Sequence, residues 1–135
     1  MTLIVPNVIE VSILTDKLTP AHTMKLYGNN VTPSGISVAA DFTEIAGGGY
    51  ANKPITFANW TITGGAPSVA LYNAVQVWVF TGPVNAPGTI YGYFITKNSD
   101  GTLLLAERFP VGIVPFTPIA GSVIRVTPRL TCESA

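Results

Sequence analysis

The sequence is poor in charge and in the residues from which metal and redox sites are built. Seven basic and seven acidic residues make up 10% of the 135, and the formal net charge is zero. A balanced charge gives no positive field to attract a phosphate backbone, so we expect no nucleic-acid partner. The single histidine, His22, and the single cysteine, Cys132, exclude an internal disulfide and the usual zinc ligand sets.

Catalytic motifs are equally scarce. A serine–histidine–aspartate arrangement would depend on His22, and no Gly-x-Ser-x-Gly elbow accompanies it. Three glycines at 47–49 lack the Lys-Ser/Thr of a phosphate-binding loop and predict a turn before Tyr50. Asp41 and Glu44 have the spacing of a local cap. We therefore expect no enzyme activity, no catalytic residues, no cofactor and no metal, with His22 exposed in a strand or loop.

Long apolar runs are absent as well. No stretch approaches the ~18 residues that a membrane span requires, so no membrane partner is expected. The N-terminus shows neither the basic nor the apolar region of a signal peptide, which predicts synthesis in the cytoplasm. Nonetheless 47% of the residues are hydrophobic, enough for one packed core and too many for a disordered chain.

What is abundant is the β-branched class. Valine, isoleucine and threonine number 14, 12 and 16, whereas lysine and glutamate together number eight. Such residues favour strands, and the spaced glycines and prolines are typical of turns between them. The sequence predicts an all-β domain at 21–135, an antiparallel β-sandwich of seven or eight short strands. A jelly roll is one arrangement that fits.

Residues 1–20 allow two interpretations. Val8, Val11 and Leu14 would share one side of a short helix, with Asn7 and Glu10 at capping-box spacing. The same stretch also alternates as a strand. We expect either an N-terminal arm or a short helix, packed on or beside the domain.

Strand signals begin at His22. The alternation of apolar residues shifts by one position at Ala58-Asn59, which predicts a bulge or bend. The Asp100-Gly101 pair predicts a hairpin. The run 69–80 is apolar in both phases and is expected to be the central strand, covered on both faces. The last predicted strand is 122–127, ended by Pro128. The predicted core comprises Leu26, Phe57, Trp60, Val77, Val79, Phe94 and Leu105.

Apolar and charged residues outside this core are candidate interface residues. Glu107 is in phase with Leu103 and Leu105 and predicts a buried or interfacial salt bridge. The loops at 82–88 and 110–118 are a second candidate region for docking. The full set of candidate interface residues is Leu3, Ile4, Val5, Val8, Ile9, Trp78, Glu107 and Arg108.

Several short segments follow one another in a recognisable order: Pro6 to Leu14, Met24-Lys25-Leu26-Tyr27 with its Gly-Asn-Asn-Val-Thr-Pro continuation, Ala40 to Glu44, Gly49-Tyr50-Ala51, the Trp60 strand, Tyr91 to Phe94, and Leu105 to Phe109. In this order they resemble a family of structural proteins of tailed phages. The resemblance implies a non-enzymatic virion protein, a head decoration or cement protein that binds the capsid exterior. It implies as partners the major capsid protein, or another virion protein, and further copies of the chain, as a homo-oligomer and most simply a trimer.

A second function stays open beside this one. A small β-sandwich of a tail or fibre could bind a host surface glycan or receptor. The aromatic residues Trp60, Trp78, Tyr91 and Tyr93 would then supply a platform for sugar stacking.

Overall fold

The computed structural model describes residues 5–132 and confirms the predicted fold class. Within this range lie one α-helix, α1 (Asn7–Leu18), and nine antiparallel strands, whereas the sequence predicted seven or eight. The strands are β1 (His22–Tyr27), β2 (Lys53–Ile55), β3 (Trp60–Thr63), β4 (Ser68–Tyr72), β5 (Gln76–Val79), β6 (Gly92–Lys97), β7 (Leu103–Arg108), β8 (Val123–Val126) and β9 (Arg129–Cys132).

The strands form three separate sheets in a sandwich-like arrangement, rather than the two sheets of a jelly roll. One sheet has the order β2-β1-β6-β7, another β3-β4-β9, and the third is the pair β5-β8. The predicted hairpin joins β6 to β7, with Thr102 N–H bonded to the Asp100 carboxylate at 2.9 Å. Pro54 is tolerated in β2 because that strand lies at the edge of its sheet.

Helix α1 packs against the sheet β3-β4-β9. Leu14 and Leu18, four residues apart, are both buried in the main core. Glu10 is also buried, and its carboxylate accepts a 2.8 Å hydrogen bond from the Ser68 hydroxyl on β4. The predicted cap at Asn7 is wrong: the helix begins there, after Pro6, and Glu10 turns inward instead.

Strand β6 lies between two apolar clusters. Tyr93 and Ile95 face the main core, which also holds Trp60 and Trp78. Phe94 faces the opposite side and stacks on Phe42 with ring centroids 5.4 Å apart. Because side chains alternate along a strand, burial of five consecutive residues from Gly92 to Thr96 means that both faces are covered.

Several predictions of burial need correction. Leu26, Trp60 and Phe94 are buried, but Phe57 is 39% exposed and Val79 is 60% exposed. The slip at Ala58-Asn59 is confirmed as a bend, a 3₁₀ turn that separates β2 from β3 and carries Phe57 outward. Beyond Pro128 the chain forms a further strand, β9, which the sequence prediction missed.

Candidate functional site

The strand pair β5-β8 presents an apolar face to solvent. Trp78 pairs with Ile124 on the inner face, while Val77 pairs with Arg125 and Val79 with Val123 on the outer face. We call Val75, Val77, Val79 and Val123 the valine face. The alternation predicted for the run 69–80 holds within β5. The run is not one central strand, however, because it is divided between β4 and β5, which lie in different sheets, and the outer face of β5 is not covered in the single chain.

A groove borders the valine face along β8. It has a volume of about 190 Å³ and is lined by Phe109, Ile113, Phe116, Val123, Ile124 and Arg125. Phe116 is fixed because residues 116 and 90 exchange backbone hydrogen bonds of 2.8 and 3.0 Å. We call this the β8 groove. It is large enough to receive an aliphatic side chain, and Arg125 places a positive charge at its margin.

The loop beside this groove exposes further aliphatic side chains. Val111 is 99% exposed, and Ile113 and Ile119 are more than half exposed. The loop is nevertheless held in place, since Ile113 N–H bonds to the Pro110 carbonyl and Ile119 N–H bonds to the Ser122 hydroxyl, each at 3.0 Å. Exposed aliphatic side chains beside an apolar groove are typical of a protein–protein contact.

The predicted interface residue Trp78 does not lie on this surface. Its ring is buried on the inner face of β5, and its Nε1–H donates a 2.8 Å hydrogen bond to the Ala51 carbonyl. The Lys53 ammonium lies 5.8 Å from the ring centroid, within the range of a cation–π contact. Trp78 therefore belongs to the core of this chain.

The N-terminal candidates fall into two groups. Leu3 and Ile4 lie outside the described residues. Val5 is half-buried, whereas Val8 and Ile9 are exposed on α1 together with Ile13. These three apolar side chains lie on the side of the helix that faces away from the sheet.

The adjacent pair Glu107 and Arg108 is engaged within the chain. Glu107 is exposed and accepts a 2.7 Å hydrogen bond from the Tyr93 hydroxyl. Burial and the neighbouring Glu107 carboxylate raise the pKa of Tyr93. Arg108 donates to the Val31 carbonyl at 3.0 Å and lies 4.9 Å from the Tyr91 ring centroid. Neither of the two ion pairs among residues 5–132 includes Glu107, so a buried salt bridge within this range is not formed, and the interfacial alternative stays a prediction.

His22 is buried, which contradicts the predicted exposure. It is 2% exposed, and its Nδ1 has no protein partner among the described residues. It lies beside an open cleft of about 510 Å³, whose wall also includes Asp16, Lys17, Lys97 and Asp100. Burial lowers the pKa of His22, and the neighbouring Lys97 acts in the same direction.

The remaining polar clusters have structural roles. The Glu44 carboxylate accepts a 2.8 Å hydrogen bond from the Tyr50 hydroxyl and lies 4.0 Å from the Lys25 ammonium. Burial raises the pKa of Tyr50, and the contact with Glu44 adds to this effect. Asp41 takes part in a local cap, as predicted, but its carboxylate accepts from Val38 N–H at 2.8 Å, so the partner is Val38 rather than Glu44.

The three glycines form the predicted turn. All three have positive φ, and Gly48 accepts a 2.9 Å hydrogen bond from Thr81 N–H. Among the described residues, no group of three His, Cys, Asp or Glu side chains could hold a metal ion. Over the same range, no helix has the length and apolar character needed to cross a membrane.

The aromatic residues considered for sugar stacking do not form a platform. Trp60, Trp78 and Tyr93 are buried, and Tyr91 is half-buried with Arg108 over its ring. A stacking platform requires exposed ring faces, so these four residues do not supply one.

Comparisons with protein-family models, with curated proteins and with solved structures found no match to this chain. The candidate functional site is therefore defined by its geometry: the valine face, the β8 groove and the loop beside them.

Proposed function

We propose that this chain is a non-enzymatic structural subunit of a tailed-phage virion, a head decoration or cement protein that binds the capsid exterior. The observation that carries the proposal is the uncovered valine face. Val79 and Val123 are directly opposite each other on β5 and β8, and both side chains are exposed. A free chain gains nothing from an apolar strand pair that faces water, whereas an assembled subunit gains about 25 cal/mol for each Å² covered.

Two further features support an assembly role. Charge is sparse over the whole chain, although soluble monomers usually carry an interspersed charged surface. The order of sequence segments resembles that of tailed-phage structural proteins, which accounts for the choice of a virion as the assembly. In this account the partners are the major capsid protein, or another virion protein, and further copies of the chain.

The number of copies of the chain per particle tests where in the virion the chain is located. Quantitative mass spectrometry of purified particles should find hundreds of copies if the chain decorates the head. A handful of copies would contradict decoration and would favour a tail or fibre module. Absence of the chain from purified particles would overturn the virion role itself.

Variants of the valine face test the contact. Val79→Lys places a charge in the proposed contact and should abolish binding to capsids stripped of this protein. Val38→Lys is the matched control, because Val38 is also exposed, at 56%, but lies outside β5 and β8, just before the 3₁₀ turn Ala39–Asp41. Both variants should unfold at the temperature of the wild type. Undiminished capsid binding by folded Val79→Lys would refute the role of the valine face.

A further inference from the structure

Helix α1 carries an exposed ridge that ends in a negative charge. Ile9, Ile13 and Asp16 follow the spacing of four and three residues that places side chains on one face of a helix. Val8 is also exposed, at 72%, but points about 100° around the helix from Ile9. We call Ile9, Ile13 and Asp16 the helix ridge.

The β8 groove has the complementary character. Its wall is apolar, from Phe109, Ile113, Phe116 and Val123, and Arg125 stands at its margin. Neither ion pair among residues 5–132 involves Asp16 or Arg125. The chain therefore presents an apolar ridge with an unpaired acid and an apolar groove with an unpaired base.

The ridge and the groove occupy different places in the fold. Helix α1 packs on β3, β4 and β9, whereas the groove lies between β8 and the loop at 110–116. The exposure of Ile9 and Ile13 shows that the chain's own groove does not cover them. A second copy of the chain offers both matching features.

We propose that the helix ridge of one copy docks in the β8 groove of the next, with Asp16 of the first copy paired to Arg125 of the second. This proposal rests on the assembly role proposed above and assigns a second copy of the chain to the groove that borders the valine face. Because two different patches meet, the contact is head-to-tail, and it repeats until a ring closes or a filament grows. The apolar contact supplies affinity, while the charge pair sets the register.

Charge reversal tests the pairing on the full chain. Sedimentation velocity over a range of concentrations should show self-association of the wild type that weakens with salt. Asp16→Arg and Arg125→Asp should each weaken self-association about tenfold, and the double variant Asp16→Arg/Arg125→Asp should restore it. Arg129→Asp is the matched control, since Arg129 is exposed and unpaired among the described residues but lies on β9. It should leave self-association unchanged.

The apolar part of the contact has its own variant. Ile13→Glu should remove self-association altogether while thermal unfolding stays at the wild-type temperature, because Ile13 is exposed in the single chain. A wild-type chain that stays monomeric at all concentrations and in particles would overturn the proposal. So would a double variant that associates no better than the single ones.

Failure here is separable from failure of the proposed function. A chain that binds capsids as isolated monomers would contradict head-to-tail docking and leave the decoration role intact. A chain that associates through Asp16 and Arg125 but is missing from particles would contradict the decoration role and leave head-to-tail docking intact.

Discussion

Strands β6 and β5 are both rich in large apolar residues, yet they are buried to different extents. In β6 five consecutive residues are buried, with the main core on one side and the Tyr27-Phe42-Phe94 cluster on the other. In β5 Trp78 is buried, while Val79 beside it is exposed. Strand β6 is an interior strand of its sheet, and β5 pairs only with β8. The comparison separates apolar residues that hold the domain together from apolar residues that stay exposed in the single chain and that we propose a partner covers.

The largest expected effect on stability comes from adding one carbon atom, a Cβ, at Gly92 in β6. A Cβ at Gly92 would collide with the Glu107 carbonyl oxygen and lie 2.7 Å from the Tyr27 hydroxyl. Neither neighbour can move freely, because Glu107 lies in β7 and Tyr27 is fully buried. Gly92→Ala should therefore lower the free energy of unfolding by about 3 kcal/mol or more, or prevent folding. Denaturant titration followed by circular dichroism measures the change.

Gly35→Ala is the matched control, since an added Cβ there meets nothing within 4 Å. Gly35→Ala should change the free energy of unfolding by no more than about 0.5 kcal/mol. If Gly92→Ala were equally mild, β6 would not be the tightly packed strand described here.

A smaller effect on stability is expected from pH, at the end of the central strand pair of the four-stranded sheet, where His22 of β1 pairs with Lys97 of β6. Burial lowers the pKa of His22 from 6.5, so the unfolded chain binds a proton more readily than the folded chain. Stability should therefore fall as the pH falls below 6.5 and through the folded pKa, by at most about 1.4 kcal/mol per pH unit. Well above pH 6.5, where His22 is neutral in both the folded and the unfolded chain, this histidine contributes no pH dependence.

The charged neighbours Asp16, Lys17, Lys97 and Asp100 line the same cleft and are unchanged in a His22 variant, so the comparison of wild type with that variant isolates the histidine. Chemical denaturation of wild type and of His22→Gln over pH 5 to 7 gives the slope of the free energy of unfolding against pH for each protein, and these two slopes are compared. The variant should show the shallower slope. Parallel slopes would contradict the burial of a neutral histidine.

Local signals predicted much of the fold. The alternation in His22–Tyr27, the Asp100-Gly101 turn and the phase slip before Trp60 all act over a few residues, and each gave the right element. Strand β9 was missed because Pro128 normally ends a strand, and here it only separates β8 from β9. The burial of His22 was missed because a lone polar residue at the start of a strand carries no sign of what covers it.

The candidate site was predicted only in part. Val8 and Ile9 are exposed as expected of interface residues, whereas Trp78 belongs to the core. The exposure of the valine face depends on how the sheets are arranged, which the alternation in 69–80 does not specify. One local signal was available: Arg125 is in phase with Val123, and a charged residue on one face of a strand indicates that this face meets solvent or a polar partner.

The central claim is that the valine face is open in the free chain and covered in the particle. The most direct test is the reactivity of Val79→Cys toward a water-soluble maleimide, in a Cys132→Ser background that removes the native thiol. Val38→Cys in the same background is the control. The account predicts rapid labelling of both variants in the free chain, and loss of labelling at position 79 alone in assembled particles. Equal labelling of position 79 in the free chain and in particles would contradict it.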